Sequence, residues 1–205
     1  MNIYKNMQTF ESENYLLRGI TMEDAEDLLK VYSDEKAVPY FNGDNCHGDD
    51  FHYTTLEQMK EAIGFWLFSY DNGYFVRWAI VCKKTNEAIG TIELFTREDT
   101  VEEYDNCGLL RLDLRSDFEK ADVITEIFAL IIGFVFDLFG DKVVTKVWNN
   151  AVERLDAITR LGFVRSKVGL KGDQGEVFTD YYILRKHRFD LRSKRCLMDI
   201  NNKTE

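Results

Sequence analysis

Basic residues are in short supply in this chain, since 26 Lys and Arg stand against 36 Asp and Glu and the net charge at pH 7 is −10. Nucleic-acid affinity rests mainly on Lys and Arg that neutralise phosphates, so this balance disfavours a nucleic-acid-binding protein. It permits cationic partners such as basic peptides or amines. Long apolar runs are also lacking, because the most apolar one spans only 127–136. A membrane span needs about 20 such residues, and no membrane partner is predicted.

Cysteine and proline are scarce as well: the chain has one proline, Pro39, and four cysteines. No Cys-x-x-Cys pair occurs, which disfavours a zinc ribbon and a thioredoxin-like site. The loop 41–50 and its neighbour His52 contain residue types that bind metals, but their spacing matches no known site, and no metal is predicted. The first residues show no basic stretch followed by an apolar run, so no signal peptide is predicted. These features favour a cytoplasmic protein with reduced thiols.

Apolar residues, by contrast, are plentiful, at 45% of the 205 residues, and aromatic residues make up 14%. Such a chain buries a sizeable core and is not globally disordered. Its length predicts a single domain. We assign that domain to residues 1–186. Residues 187–205 carry basic side chains without a strong periodicity and are predicted to be a peripheral tail.

Hydrophobic periodicity and turn signals predict the order β-α-α-β-β-β-α-β-α-β. The first helix follows Thr21 as N-cap and ends before Pro39, and the second begins at Thr54 or Thr55, where Gln58 completes a capping pattern. The other elements are strands over 15–20, 75–82, 88–95, 108–114, 142–148 and 177–184, and helices over 123–139 and 152–161. The fold class is therefore mixed α/β (α+β) in one domain, in which an antiparallel meander leads into a β-α-β crossover.

Four segments carry a resemblance to a known family. They are ENYLLRGITMEDAEDLLKVYSDEKAVPYF, RWAIVCKKTNEAIGTIELF, ITEIFALIIGFVFDLFG and NNAVERLDAITRLGF. Their order and spacing resemble the GNAT superfamily of N-acetyltransferases, and within it the RimJ/RimL-type branch that acetylates ribosomal-protein alanine. The likeness covers about residues 10 to 185.

This resemblance implies a single-domain GNAT fold with a mixed, mostly antiparallel sheet flanked by helices. It also implies transfer of an acetyl group from acetyl-CoA to a primary amine, such as a protein N-terminus, by direct attack, and it permits a homodimer. Two alternatives stay open. One is a GNAT-shaped binding or regulatory module that no longer binds acyl-CoA well, and the other is an acetyltransferase for small-molecule amines.

The same resemblance implies where acetyl-CoA is held. The backbone of strand 110–114 would bind the thioester and the pantetheine arm, and a loop at 119–124 before a helix would cradle the pyrophosphate. The expected cofactor-binding residues are Leu112, Asp113, Leu114, Glu119, Lys120, Ala121, Asp122, Val123, Ile124, Thr125 and Asn150.

That loop departs from the family pattern, which is commonly Arg-Gly-x-Gly-x-Ala. Here Glu119 stands at the basic position, and Lys120 and Asp122 stand at the glycines, which in the family let the backbone approach the phosphates closely. Two carboxylates beside a pyrophosphate cost about 1 kcal/mol each when solvated. Lys120 offsets part of that cost. We therefore expect weakened cofactor binding.

The chemistry needs a base for the amine proton and an acid for the leaving thiolate. Glu93 and Glu153 are the candidate bases. The positions at which relatives often supply an acid fall on Ile158 and near Arg154 or Glu153, so the usual acid is missing. A solvated strand face is the alternative for Glu93, and capping of the next helix is the alternative for Asn150. An acceptor cleft is expected at Phe41, Phe51, Tyr53, Trp66 and Tyr70, with core packing as the alternative for Trp66 and Tyr70.

Overall fold

A computed structural model describes residues 3–97 and 103–189. The helices are α1 (Ala25–Tyr32), α2 (Leu56–Asp71), α3 (Ala121–Phe139) and α4 (Val152–Leu161). The strands are β1 (Phe10–Glu11), β2 (Tyr15–Gly19), β3 (Val76–Cys82), β4 (Glu87–Arg97), β5 (Cys107–Leu114), β6 (Lys142–Lys146), β7 (Val164–Arg165), β8 (Leu170–Lys171), β9 (Val177–Phe178) and β10 (Tyr181–Arg185). Short 3-10 turns cover Met22–Asp24, Val38–Tyr40 and Ser116–Phe118.

Eight strands form one twisted sheet in the order β1-β2-β3-β4-β5-β6-β10-β7, and β8 pairs with β9 separately. Neighbouring strands run antiparallel apart from β5 and β6, which are parallel and joined through α3. A parallel pair needs such a crossover, and a helix supplies it. The predicted mixed α/β fold with a mostly antiparallel sheet is confirmed. Among the described residues, no helix is both long and apolar enough to cross a membrane.

The strands β5 and β6 separate part of the way along their length. Their ladder joins Cys107–Leu110 to Lys142–Thr145 and ends there, while β5 stays paired with β4 as far as Leu114. Backbone groups of a strand point alternately to its two neighbours. Part of the backbone of 111–114 therefore faces an opening instead of a strand, and we call this opening the groove.

The two faces of the sheet bury different helices. Apolar side chains of α3 and α4 pack on one face with Leu110, Leu112 and Leu114 of β5. On the other face, α1 and α2 pack on Ala79 and Val81 of β3. Because side chains alternate along a strand, Arg111 and Asp113 of β5 lie on the α1 and α2 side.

Two helix starts follow the sequence signals. Thr55 caps α2, where its hydroxyl accepts from the amide of Gln58 and the Gln58 side chain accepts from the amide of Thr55. Thr21 precedes a 3-10 turn, and the Asp24 carboxylate accepts a hydrogen bond from the amide of Thr21 at 2.8 Å. Helix α1 begins directly after this turn. The helix ends at Tyr32, before Pro39, as predicted.

Several element boundaries differ from the prediction, and the strand predicted over 142–148, for example, ends at Lys146. Helix α3 begins at Ala121, two residues before the predicted start, so most of the expected phosphate loop is the first helical turn. The strand predicted over 177–184 is interrupted at Asp180, whose φ of 66° belongs to the left-handed region, and β9 and β10 flank it. The two-residue strands β1, β7 and β8 are too short to give a periodic signal. Residues 190–205 of the predicted tail lie outside the described part of the chain.

Candidate active site

A cavity of about 890 Å³ lies between α2, the segment 45–53 and the sheet face that α1 and α2 cover. This volume is typical of a small-molecule site. Seven aromatic side chains line it: Phe51, Tyr53, Phe65, Trp66, Tyr74, Phe75 and Phe95. Of the five aromatic residues expected at an acceptor cleft, Phe51, Tyr53 and Trp66 lie here. Phe41 packs in the α1 and α2 core, and Tyr70 packs on Tyr4.

Three charged side chains of adjacent strands form the floor of the cavity. Arg77, Glu93 and Arg111 are cross-strand neighbours on β3, β4 and β5. One oxygen of Glu93 accepts from Nε of Arg77 at 3.1 Å and from its Nη2, and the other accepts from Nη1 of Arg111 at 3.1 Å. Burial raises the pKa of Glu93, but the two guanidinium charges outweigh burial and hold this pKa below its usual value. The carboxylate is therefore ionised at neutral pH.

A second layer holds Arg77 in place. Its Nη1 donates to the Tyr32 hydroxyl, the Thr91 hydroxyl and the Asp113 carboxylate, each at 2.9 Å. The guanidinium also stacks over Trp66 at 4.3 Å from the ring centre. Asp113 lies in the strand expected to bind acetyl-CoA, but its side chain points to the cavity side and pairs with Arg77.

Residues 42–46 close one edge of this floor. The carbonyl of Asp44 accepts from Arg111, and its carboxylate accepts from Nζ of Lys146 at 2.7 Å and from the Tyr181 hydroxyl at 2.9 Å. Asp44 is therefore engaged by a buried lysine. Within residues 3–97 and 103–189, no group of three or more His, Cys, Asp or Glu side chains is arranged to hold a metal ion.

The rim of the cavity is acidic. Asp49, Glu61 and Asp173 line it from exposed positions, while the two floor arginines are paired with Glu93 and Asp113. The Asp49 and Glu61 carboxylates therefore place negative charge at the entrance. Such an entrance attracts cations, including protonated amines.

Arg154 of α4 fills the groove on the other side of β5. Its Nη1 donates to the carbonyl oxygens of Leu112 and Tyr40, each at 2.9 Å. Its Nε and Nη2 donate to the carboxylate of Glu119. The side chains of Arg154 and Glu119 are only 4% and 9% exposed. The Leu112 carbonyl thus faces the groove, and an arginine occupies its free side.

Glu153 lies beside the N-terminus of α3, which we count as part of the groove. One of its carboxylate oxygens accepts from the amide of Ala121, the first residue of α3, at 2.7 Å. Amides at a helix N-terminus favour an anion, and here this anion is a side chain of the same chain. Of the two candidate bases, Glu93 lies in the cavity and Glu153 lies in the groove.

The other expected cofactor residues are dispersed around α3. Asp122 is exposed and pairs with Arg160 of α4, and the Thr125 hydroxyl donates to the Ala121 carbonyl within the helix. The remaining positions are Lys120 and Asn150, which are exposed, Val123, which is half-buried, and Leu114 and Ile124, which are buried. Ala151, and not Asn150, occupies the N-cap position of α4.

The backbone of the groove suits acetyl-CoA, but three side chains occupy it in this conformation. A strand that parts from its neighbour and a helix N-terminus are both present, as the chemistry of the cofactor requires. Glu119, Glu153 and Arg154 stand at those places. Sequence reasoning missed the importance of Arg77, Arg111 and Arg154. The hairpin register contained a signal for Arg77, because it sets Arg77 opposite Glu93, whereas Arg111 meets Glu93 only through the pairing of β4 with β5.

The chain matches the acetyltransferase (GNAT) domain family over residues 14–164, which is most of its length. The chain belongs to this family. The family match does not specify an acceptor. Members of the family use acetyl-CoA as co-substrate.

Individual relatives agree with this assignment. The uncharacterized N-acetyltransferase YoaA of Bacillus subtilis (strain 168) is 29% identical over 82 residues, which are 40% of this chain and 42% of that relative. The chain thus spans less than half the length of this curated relative.

Solved structures share the fold at low identity. A GCN5-related N-acetyltransferase from Brucella melitensis has a TM-score of 0.67 and 14% identity over 91% of this chain and 82% of its own. Ribosomal-protein-S5-alanine acetyltransferase from Vibrio fischeri has a TM-score of 0.62 and 17% identity, over 87% of this chain and 96% of its own. Mycobacterium smegmatis RimJ, solved in complex with CoA-disulfide, has a TM-score of 0.62 and 12% identity, over 84% of this chain and 82% of its own.

Proposed function

We propose that this protein transfers the acetyl group of acetyl-CoA to a primary amine bound in the aromatic cavity. The observation that carries the proposal is the position of β5 between two compartments. Its Leu112 carbonyl faces the groove, and the side chain of the preceding Arg111 forms part of the cavity floor. A donor in the groove and an acceptor in the cavity would therefore meet across one strand.

The cavity supports an amine that carries an apolar body. Its acidic rim attracts an ammonium group, and its aromatic walls offer both apolar contact and cation–π contact. Its volume suits a small molecule or the first residues of a peptide. A protein N-terminus and a small-molecule amine are both acceptors of this kind.

Glu93 is the better placed of the two proposed bases. In the reaction, the bound ammonium first gives one proton to water and becomes a neutral amine. Its nitrogen then bonds to the acetyl carbon, the carbon–sulfur bond breaks, a second proton leaves nitrogen and one proton reaches sulfur. The Glu93 oxygen that faces Arg111 accepts one hydrogen bond, and a carboxylate oxygen has room for a second. We propose that it receives the amine proton through water. Its lowered pKa makes it a weak base, so water relay and positioning matter more than basicity.

Several finer assignments belong to the proposal. The structural likeness to RimJ and to the S5-alanine enzyme supports placement in the RimJ/RimL-type branch. A cytoplasmic location, a homodimer, the absence of nucleic-acid and membrane partners, and the domain limits 1–186 and 187–205 stay predictions.

The test is acetylation of an amine panel in the presence of acetyl-CoA, followed by product mass spectrometry. The panel contains aromatic and aliphatic amines and peptides that begin with alanine or serine. Glu61→Gln removes one rim charge and should raise the KM for cationic acceptors severalfold with kcat little changed. Glu35→Gln, at an exposed position that does not line the cavity, is the matched control. Acetylation of no panel member, or equal effects of the two variants, would contradict the proposal.

A second candidate is a GNAT-shaped module that does not bind acyl-CoA, and the occupied groove favours it. Thermal denaturation with acetyl-CoA separates the two candidates. A ligand at 100 times its Kd stabilises the folded state by about 2.7 kcal/mol. An unchanged Tm at millimolar acetyl-CoA, together with absent acetylation, would favour the module.

A further inference from the structure

We propose that Glu119, Glu153 and Arg154 form a groove plug that competes with the acetyl donor, and that Glu153 sets the affinity for its pyrophosphate. This inference rests on the proposed function, because it concerns the same donor site. The three side chains come from the segment before α3 and from the first turn of α4. They occupy two separate features of the groove, the α3 amide and the Leu112 carbonyl.

Glu153 and a pyrophosphate need the same partner. The amide of Ala121 stands at the N-terminus of a 19-residue helix, and its hydrogen bond to Glu153 is 2.7 Å long. A phosphate oxygen and the carboxylate cannot accept from that N–H at the same point. Their negative charges also repel each other, so the carboxylate must leave before the pyrophosphate enters.

Glu153 is able to leave at little cost. It lies at an exposed position in the first turn of α4, so rotation of its side chain returns the carboxylate to water. Glu119 also stands near this helix start, but its charge is taken up by Arg154. Glu153 therefore supplies the negative charge that a donor has to displace.

Arg154 blocks the pantetheine position in a different way. Its side chain is buried, and its Nη1 holds the Leu112 and Tyr40 carbonyls at once. An amide of a pantetheine arm would donate to the same Leu112 oxygen. Opening this part of the groove requires that Arg154 turn away from β5, which also loosens the 3-10 turn that ends at Tyr40.

The two halves of the plug predict different ligand responses. Removal of Glu153 frees the anion position and leaves Arg154 in place. Ligands that carry a pyrophosphate should therefore gain affinity, while pantetheine, which has none, should not. A general change of surface charge would affect all anionic ligands and would not depend on which carboxylate of α4 is removed.

The experiment is calorimetric titration of the full chain with coenzyme A and, separately, with pantetheine. The variants are Glu153→Ala and, as a matched control, Asp156→Asn, which removes the same charge one turn further along α4, where Asp156 pairs with Arg160. We expect Glu153→Ala to bind coenzyme A about three- to fivefold more tightly than wild type, as one anion at a helix N-terminus is worth. Pantetheine affinity should change by less than about twofold, and Asp156→Asn should resemble wild type for both ligands.

Each other outcome overturns the proposal. Unchanged or weaker coenzyme A binding by Glu153→Ala would show that the carboxylate does not compete. An equal gain in Asp156→Asn would reduce the effect to net charge, and an equal gain for pantetheine would place the competition elsewhere. Acetylation assays on the wild-type chain keep the two proposals apart: tighter coenzyme A binding by Glu153→Ala, together with no acetylation of any amine by the wild type, leaves the plug standing and contradicts the proposed function. Acetylation of an amine by the wild type, together with unchanged coenzyme A affinity in Glu153→Ala, supports the proposed function and contradicts the plug.

Discussion

The cavity side and the groove side of β5 both contain buried arginine–carboxylate networks, and the two networks do opposite things. On the cavity side, Arg77 and Arg111 are balanced by Glu93 and Asp113, and together they form the floor of an open space. On the groove side, Arg154 and Glu119 fill the space between strands, and Glu153 adds a further negative charge. Burial and pairing are similar in both. The difference lies in the groups to which Arg77 and Arg154 donate hydrogen bonds.

That difference has a physical origin. Arg77 hydrogen bonds to side chains alone, and in its network only Arg111 donates to a main-chain carbonyl, that of Asp44. The space beside this network stays open as the cavity. Arg154 donates to two main-chain carbonyls that no strand partner satisfies. Buried carbonyls need a donor, and in this conformation the arginine is that donor. A ligand for the groove must therefore supply equivalent hydrogen bonds.

The largest expected effect is on the cavity floor. Glu93→Gln keeps the shape of the side chain but leaves Arg111 and part of the Arg77 charge uncompensated at a site that is 2% exposed. Loss of one partner from a buried ion pair costs about 3–5 kcal/mol in unfolding free energy. Guanidinium chloride unfolding measures it, with Glu35→Gln as an exposed control that should change by less than about 0.5 kcal/mol. A loss below about 1 kcal/mol would show that the floor is not held by this charge.

Arg154→Met tests the groove network in the same way. The variant leaves Glu119 and two carbonyls without their donor, and we expect a loss of about 3 kcal/mol. Adding Glu119→Leu should recover the part that comes from the unpaired carboxylate, because apolar residues commonly replace a buried ion pair without loss, while the two carbonyls stay without a donor. Denaturant unfolding of both single variants and of the double variant gives the coupling energy. Additive losses would mean that the two side chains are independent.

Acidification should weaken the cavity network through its carboxylate. The folded-state pKa of Glu93 lies below its unfolded value, so its stabilising contribution is complete above the unfolded pKa, near 4.3, and is lost as pH falls through the folded value. Asp24 contributes with the same sign. Burial raises its pKa, but hydrogen bonds from Arg18 and Thr21 outweigh burial and hold this pKa below its usual value. Unfolding free energy measured between about pH 6 and about pH 3 should fall, and less steeply in Glu93→Gln. An equal slope in that variant would remove Glu93 as a cause.

The smallest expected effect on unfolding free energy is at Gly133, which belongs to neither arginine network. Gly133 is exposed in the middle of α3, and apart from the neighbouring backbone of that helix, an added Cβ there would meet no described atom within 4 Å. Gly133→Ala should raise the unfolding free energy by about 0.5–1 kcal/mol, because alanine loses less backbone freedom on folding. Coenzyme A affinity should stay unchanged in the calorimetric titration. A loss of stability would point to a contact of Gly133 beyond those described.

Much of the fold was predictable because its signals are local. Thr55 with Gln58 marks the start of α2, and the alternating apolar residues of β3 and β4 mark the hairpin. The role expected for the backbone of 110–114 followed only from the resemblance to a known family, and the parting of β5 from β6 was found in the structure. The start of α3 was placed too late, because Ala121 and Asp122 have no apolar periodicity and their cap comes from a residue 32 positions away.

The candidate site was less predictable, since its side chains meet through long-range pairing. Glu93 was recognised as a candidate, but its two arginine partners emerge only when three strands are in register. Glu153 was proposed as a base from its place in the sequence, whereas contact with Ala121 depends on how α4 packs against α3. No local pattern encodes that packing.

Nη1 of Arg154 carries two hydrogens, and both are used, one on each of two segments that lie 72 residues apart. The guanidinium thus joins the connection that follows α1 to the edge of β5 through these two hydrogen bonds. Whatever draws it off one carbonyl also releases the other. A donor that displaces Arg154 from Leu112, as proposed, would consequently also loosen the connection after α1, which leads into the segment that lines the cavity.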